Sequence, residues 1–271
     1  MILKLKHDAE STSYNYIGCD YRNCVYLYAN LAKYGLRNKN MSMWTVEKSG
    51  SVLAIMQKYF SCMHLYSKGD DWLSDELLNL ITQEAPRTIF ATQDNAHKLL
   101  SSMSNRYYMK VMNLYSLPVE SNATLGIDSL EYINQLQEAT TTDIEDISDF
   151  LMQDEEYKKN YDRRTLNNQL AERLIDKFSR YYIIRKDEKI VASVSTKAEH
   201  PSFAVVGGVM VDKDYRGRNI GKCITYNITK ILQSEGKEAL SFVSENNIAS
   251  TQMFKQIGYN LIGSSGKLTA F

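Results

Sequence analysis

The second half of the sequence contains a stretch in which an apolar run leads directly into a basic, glycine-bearing turn. Residues 208–222 read GVMVDKDYRGRNIGK, and apolar residues recur at helical spacing from Ile220 onward. The pattern predicts a buried strand, a turn and a helix. A helix start leaves backbone N–H groups without partners and carries partial positive charge, which suits a phosphate. Because Arg216, Arg218 and Lys222 add full charges there, we expect a pyrophosphate site.

The spacing of the glycines excludes two common nucleotide loops. A P-loop needs Gly-x-x-x-x-Gly-Lys followed by Ser or Thr, but Cys223 follows Lys222 in this chain. A dinucleotide fingerprint needs Gly-x-Gly-x-x-Gly, whereas Gly217 and Gly221 are separated by three residues. The ligand is therefore expected to be a different pyrophosphate-bearing molecule.

Length and charge limit the classes of protein to which the chain can belong. A chain of 271 residues is long enough for two domains, each with its own hydrophobic core. The 32 basic and 32 acidic residues balance, which argues against nucleic acid or an anionic membrane as a partner. No apolar run is long enough to cross a bilayer, the first ten residues are too charged for a signal peptide, and the four cysteines lack metal-type pairing. These features predict a cytoplasmic protein without a metal site.

Hydrophobic periodicity predicts two halves with the same order of elements. In the first half it predicts a helix at 22–34, strands at 41–47, 52–59 and 62–66, a helix capped by Asp70 or Asp71, a strand at 88–91, a helix at 95–103 and a strand at 107–117. In the second half it predicts strands at 133–139, 181–185, 190–195, 203–211 and 239–243, helices after 142, at 165–178, 220–234 and 248–257, and a last strand from Tyr259. We therefore predict an α+β fold arising from duplication, with domains 1–120 and 130–271 joined by a linker at 121–129.

Residues 209–221 resemble the acyl-coenzyme A signature of the GNAT superfamily of N-acyltransferases, in which Arg or Gln precedes x-x-Gly-x-Gly or Ala. Asn219 stands where the family usually has its middle glycine; asparagine tolerates positive φ best among the other residues. Residues 244–259 resemble the family's later motif, with Asn247, Ser250 and Phe254 in register. The resemblance implies acetyl-CoA or CoA as cofactor, held by Val209, Met210, Val211, Arg216, Gly217, Arg218, Asn219, Ile220, Gly221, Lys222, Asn247, Ser250 and Phe254.

The resemblance also implies direct attack of a neutral amine on the thioester. The usual tyrosine acid is replaced by Phe254, so a water, another tyrosine or unaided departure of the thiolate must serve. The candidate bases are Glu199, His200 and Glu245, or a water that they hold. The alternative is that Glu199 and His200 are solvated loop residues and that Glu245 caps the following helix.

We therefore predict a cytoplasmic N-acyltransferase acting on a small-molecule primary amine, with a homodimer as one assembly that it could form. The acidic cluster at 154–156 lies in the segment that lines the acceptor side in the family, and it is either an amine-attracting feature or a solvated helix end. The first half resembles the same fold without a cofactor site, since residues 67–71 carry one lysine and two acids. A non-catalytic acyl-CoA-binding sensor or assembly module is the alternative function.

Overall fold

A computed structural model describes residues 1–6, 9–125 and 132–271, and the chain divides into two compact units. Unit 1 comprises Met1–Met112 and Ser264–Phe271, and unit 2 comprises Asn113–Gly263. The end of the chain thus belongs with the first unit, because the last strand pairs there. As domain bounds, the ranges 1–120 and 130–271 stay a prediction.

Unit 1 has the predicted alternation of strands and helices. Its elements are β1 (Ile2–Lys4), α1 (Glu10–Ile17), α2 (Val25–Tyr34), β2 (Met41–Lys48), β3 (Ser51–Tyr59), β4 (Cys62–Ser67), α3 (Asp75–Glu84), β5 (Thr88–Thr92), α4 (Gln93–Met103) and the first part of β6 (Tyr107–Leu117). The strand order is β1-β2-β3-β4-β5-β12, in which β4 and β5 run parallel and β12 (Asn260–Ala270) is antiparallel to β5. Helix α1 was missed because its residues show little apolar periodicity.

Unit 2 contains the remaining elements. They are β7 (Gln137–Glu138), α5 (Ile144–Leu151), α6 (Glu155–Asn160), α7 (Arg163–Ile175), β8 (Tyr181–Lys186), β9 (Lys189–His200), β10 (Phe203–Val211), α8 (Ile220–Ser234), β11 (Glu238–Ser244) and α9 (Ile248–Ile257). The end of β6 lies beside β11, and the order continues β10-β9-β8-β7, with β10 and β11 parallel. The predicted strand at 133–139 was too long, since only Gln137–Glu138 pair with β8.

The repeat in element order that the sequence predicts is present. The series β2-β3-β4-α3-β5-α4-β6 in the first half matches β8-β9-β10-α8-β11-α9-β12 in the second half. In each series the helix that follows the third strand connects two parallel strands. This architecture confirms the predicted α+β fold of mostly antiparallel sheets flanked by helices.

The predicted linker region is held to unit 2 where the structure describes it. The amide of Thr124 donates to the Ile257 carbonyl oxygen at 2.8 Å, and the side chain of Gln233 donates to the Ser121 carbonyl oxygen at 2.6 Å. Residues 121–125 therefore pack on helices α8 and α9. Residues 126–131 lie outside the described part of the chain.

Candidate functional site

A β-bulge in β10 forms the start of the site. Gly207 pairs with Ser195 and Met210 with Ser193, so Gly208 and Val209 together face a single residue of β9. Gly208 has a φ of 62°, a value that glycine adopts without steric cost. The hydroxyl groups of Ser193 and Ser195 donate to the carbonyl oxygens of Gly208 and Gly207 at 3.1 and 3.2 Å. The bulge interrupts regular pairing just before the basic turn.

The residues after the bulge separate the two faces of β10. Val209 and Val211 point toward α8, where a Cβ built on Gly221 would lie 3.6 and 3.7 Å from their side chains. Met210 points to the other face and packs against a hydrophobic cluster that includes buried residues of α5 and α7. A ligand that follows this strand would therefore contact the backbone of β10 between two packed layers.

The basic turn has the backbone conformation that its sequence predicts. Gly217 and Asn219 have φ values of 77° and 58°, and Asn219 confirms that asparagine can fill the position of the family's middle glycine. Asn219 precedes α8 and makes no side-chain capping bond. The Nε of Arg216 donates to the Val211 carbonyl oxygen at 3.0 Å, and the Arg218 guanidinium donates to the Asp214 carbonyl oxygen at 3.1 Å. These bonds fix the turn to the end of β10.

The turn offers the unpaired donors that an anion requires. Among the described residues, no acceptor is found for the backbone N–H groups from Gly217 to Lys222, and the first helical bond runs from Cys223 to Asn219 at 3.0 Å. Arg216 and Arg218 are exposed beside these groups, and Lys222 is half-buried. Free amides at a helix N-terminus together with three cations fit the pyrophosphate of coenzyme A.

The same position in unit 1 has the opposite character. Helix α3 begins at Asp75, Ser74 caps it by accepting the Leu77 amide at 3.3 Å, and Asp75 and Glu76 occupy its first turn. The predicted caps Asp70 and Asp71 were wrong, because the helix begins later. A capped helix start with two carboxylates disfavours a phosphate. A cofactor site in the second half alone stays a prediction.

The residues of the later motif, 244–259, cap helix α9 and pack in the hydrophobic core. The Oδ1 of Asn247 accepts the Ser250 amide at 3.0 Å and caps α9, so the predicted cap Glu245 was wrong. Phe254 is 3% exposed and makes an edge contact with Tyr259 at 4.9 Å between ring centroids. Tyr259 is itself bonded to Thr229 at 2.7 Å, and burial raises the pKa of its phenol. Phe254 therefore belongs to the hydrophobic core, and its contact with the cofactor stays a prediction.

Two of the candidate bases lie at the far end of β10 from the bulge. Glu199 and His200 belong to strand β9, not to the predicted loop, and pair with Ala204 and Phe203. Gly208 lies four positions after Ala204, about 13 Å along a strand. Glu199 accepts bonds from Arg180, Lys237 and Thr196. Burial lowers the pKa of His200, whose Nδ1 lies 2.8 Å from the Ser202 hydroxyl oxygen.

Glu245 lies at the same end of β10 as the basic turn. Val205 pairs with Leu240 in parallel register, and Met210 and Glu245 each follow five residues later. Glu245 is exposed. Of the three candidate bases, it is the one that the sheet register brings to the loop end of β10.

Two residues of the acidic cluster at 154–156 bond within their own helix. Asp154 caps α6 by accepting the Glu156 and Tyr157 amides, and Glu155 pairs with Lys158 at 2.7 Å. The functional candidate in this segment is instead Tyr157, whose hydroxyl oxygen lies 2.8 Å from the Nζ of Lys197. Sequence reasoning missed Lys197, because a single lysine in a strand carries no motif.

The part of the chain that the structure describes contains neither a cluster of metal-ligand residues nor a membrane-spanning helix. Within residues 1–6, 9–125 and 132–271, no cluster of His, Cys, Asp and Glu could hold a metal ion. No helix in these ranges is long and apolar enough to span a membrane.

The bulged strand, the uncapped helix start and the basic turn give this α+β domain a helix N-terminus of the kind that binds phosphate groups. Residues 142–259 match the sequence model of the Acetyltransferase (GNAT) family, so this part of the chain is a GNAT acetyltransferase domain. Members of this family use acyl-CoA, and membership supports acyl transfer in general. No match is found among curated proteins.

Solved structures of GNAT proteins resemble the whole chain in fold. A GNAT-family acetyltransferase from Colwellia psychrerythraea has a TM-score of 0.58 at 14% identity, and the alignment covers 100% of this chain and 99% of that protein's chain. A tandem GNAT protein from the clavulanic acid biosynthesis pathway has a TM-score of 0.60 at 12% identity, covering 100% and 98%. A GCN5-related N-acetyltransferase-like protein from Streptococcus suis has a TM-score of 0.62 at 11% identity, covering 97% and 99%.

Proposed function

We propose that this chain is an N-acyltransferase, specifically an N-acetyltransferase, that moves an acyl group from acyl-CoA to a primary amine of a small molecule. The observation that carries the proposal is the free N-terminus of α8. Its six amides without acceptors in the described chain, from Gly217 to Lys222, stand beside Arg216 and Arg218 at the end of a bulged strand. Unit 1 serves packing, because its equivalent helix is capped and acidic.

The chain's own residues would bind and orient the reactants. The amides of the turn and the three cations hold the pyrophosphate, and the backbone of Val209 and Val211 bonds the pantetheine arm. Acyl-CoA supplies a thioester whose carbonyl carbon is open to attack by a neutral amine. The new C–N bond forms as the C–S bond breaks, and the proton that the nitrogen loses balances the charge of the departing thiolate.

The proton transfers need no buried tyrosine. Phe254 has no proton to give, and a thiolate of moderate basicity can leave and be protonated by water. Glu245, at the loop end of β10, is the base candidate that register favours, acting directly or through a water. Glu199 is held by two cations, and His200 lies at the other end of the strand.

Coenzyme A binding and thiol release test the proposal. Arg216→Glu places a carboxylate beside the pyrophosphate, so we expect calorimetric affinity for coenzyme A to fall at least tenfold, about 1.4 kcal/mol. Lys230→Glu is the matched control, because Lys230 is exposed on the same helix, about 15 Å from its start. Unchanged affinity in Arg216→Glu would refute the site. Thiol release from acetyl-CoA with a panel of amines tests the reaction.

A non-catalytic acyl-CoA-binding sensor is the second candidate. It is favoured by the burial of Phe254 in the core and by the ion pairs that occupy Glu199. A sensor would bind coenzyme A by calorimetry and release no thiol above the buffer rate with any amine. Turnover with one amine would exclude it.

A further inference from the structure

Lys197 of β9 places its ammonium group at the bulge of β10. A Cβ built on Gly208 would lie 2.9 Å from the Nζ of Lys197, and one built on Gly207 would lie 3.1 Å from the lysine Cγ. The stem of the lysine therefore crosses the two glycines, and a side chain at either position would have to displace it. The charged end lies one residue before Val209, where the proposed path of the pantetheine arm begins.

Two tyrosines surround this ammonium group. The Nζ of Lys197 lies 2.8 Å from the hydroxyl oxygen of Tyr157 on α6 and 3.4 Å from that of Tyr181 on β8. It also lies 5.4 Å from the centroid of each ring. None of the ion pairs found among the described residues includes Lys197. The carboxylate of nearby Asp154 is turned to the amides of its own helix.

The cluster of Lys197, Tyr157 and Tyr181 has more hydrogen-bond donors than its own acceptors can use. An ammonium has three N–H donors, and the two phenol oxygens accept at most two of them. Because each phenol oxygen accepts from Lys197, its own O–H hydrogen points elsewhere. Desolvation acts to lower the pKa of Lys197, but Tyr157 and Tyr181 raise it above its ordinary value, and burial raises the pKa of Tyr157. Lys197 and Tyr157 therefore keep their protons at neutral pH.

A cation held by hydroxyl groups, with no carboxylate paired to it in the described part of the chain, favours an anionic ligand. A half-buried charge without an opposite charge is costly, and a carboxylate would both neutralise it and accept the unused donors. An acceptor that carried only an ammonium group would instead meet a like charge at the bulge. The like charge disfavours simple amines and polyamines as acceptors, and the unused donors favour molecules with both an amine and a carboxylate.

We propose that Lys197, Tyr157 and Tyr181 form a carboxylate-binding subsite, so that the acceptor is an amino acid or a related amino-carboxylate. The inference rests on the proposed acyl transfer and names the substrate class of the same site. The carboxylate is held at the bulge, and the amine is thereby directed toward the thioester. Lys197 is then a specificity-determining residue.

Paired acceptors test the subsite. Thiol release is measured with a panel of amino acids and with the corresponding amino acid amides, which keep the amine and remove the negative charge. The protein should prefer the acids at least tenfold in kcat/KM. Lys197→Met, which keeps the length of the stem, should abolish that preference by raising KM for the acids while leaving the amides within about twofold. Lys189→Met, an exposed lysine at the start of the same strand, is the control and should keep the preference.

A second, milder variant tests the subsite in case Lys197→Met fails to fold. Tyr157→Phe removes one O–H donor and keeps the ring, and we expect a three- to tenfold rise in KM for the acids alone. If Lys197→Met slows acids and amides equally, the lysine stabilises the thioester or the fold, and the proposal is overturned.

Direct binding separates this proposal from the reaction itself. If the protein binds coenzyme A but releases no thiol with any amine, acyl transfer is wrong. Calorimetry with N-acetyl amino acids and their amides, in the presence of coenzyme A, then still tests the subsite. Acid-selective binding that Lys197→Met removes would support it, and equal binding of acid and amide would overturn it.

Discussion

Arg180 forms a bidentate ion pair with the carboxylate of Glu199, donating from Nε and Nη2 to its two oxygens at 2.7 and 3.1 Å. Lys237 adds a bond at 2.7 Å, and Glu235 pairs with both cations at 2.6 and 3.0 Å. The Glu199 side chain is only 9% exposed. This four-residue network joins the ends of β8, β9 and α8, and it gives Glu199 a structural partner set that sequence reasoning could not see.

Loss of the Glu199 charge should destabilise the fold and spare the reaction. Glu199→Gln leaves Arg180 and Lys237 with one carboxylate between them, so we expect the free energy of unfolding to fall by about 2–3 kcal/mol. Urea unfolding followed by circular dichroism measures this change. Glu188→Gln, in an exposed turn, should be neutral. A kcat for thiol release reduced by a hundredfold in the folded variant would instead restore Glu199 as the base.

Acid should weaken this network through Glu235. Desolvation acts to raise the pKa of Glu235, but hydrogen bonds from Arg180 and Lys237 hold it below its ordinary value of 4.5. A lowered pKa in the folded state contributes stability that is complete above pH 4.5 and is lost as the pH falls through the folded value. Unfolding in urea from pH 7 to pH 3 should show this decline. Glu235→Gln should show a shallower one, and equal slopes would contradict the prediction.

Replacing Asn219 by glycine, the residue that the family usually has there, should relieve the cost of its positive φ. Its φ of 58° costs little for glycine and about 1 kcal/mol or more for a β-branched residue. We expect Asn219→Gly to keep or raise the affinity for coenzyme A and Asn219→Val to lower both affinity and thermal stability. Calorimetry and thermal unfolding check the pair. Equal behaviour of the two variants would mean that the positive φ is not maintained in solution.

Two substitutions of Asn247 separate capping from cofactor binding. Asn247→Ala removes the acceptor for the Ser250 amide and should cost about 1 kcal/mol of stability. Asn247→Asp keeps an acceptor oxygen at the helix start and should keep the stability. If the side chain also binds the pantetheine arm through its NH2 group, Asn247→Asp should bind coenzyme A more weakly than the starting protein. Equal affinity would limit Asn247 to its cap.

The sequence was informative wherever the signal is local. The strand, turn and helix at 203–234 were predictable because the apolar run, the glycines and the basic residues are contiguous, and Asn219 adopts the φ expected of it. Helices α8 and α9 have the predicted bounds, since apolar periodicity and a following glycine mark them. The family motif depends on the same contiguous residues.

Long-range pairing was not predictable in the same way. Residues 264–271 belong with unit 1 because β12 pairs with β5, a choice set by tertiary packing and not by local composition. Lys197 meets Tyr157 from forty positions away through tertiary folding alone. The acidic residues of 154–156 are prominent in the sequence because of their charge, yet Asp154 and Glu155 bond within α6 itself.

The glycine at the bulge offers the sharpest test of how the site is built. Gly208 and Gly236 both have positive φ, 62° and 74°, but only Gly208 has neighbours, with Ser195 Oγ and Lys197 Nζ at 2.7 and 2.9 Å from an added Cβ. Gly236→Ala therefore measures backbone strain alone, about 1 kcal/mol. Gly208→Ala adds displacement of the lysine, so we expect a larger loss of stability together with weaker acid-over-amide preference in thiol release. If the two variants lose the same stability and Gly208→Ala keeps the preference, Lys197 does not occupy the bulge.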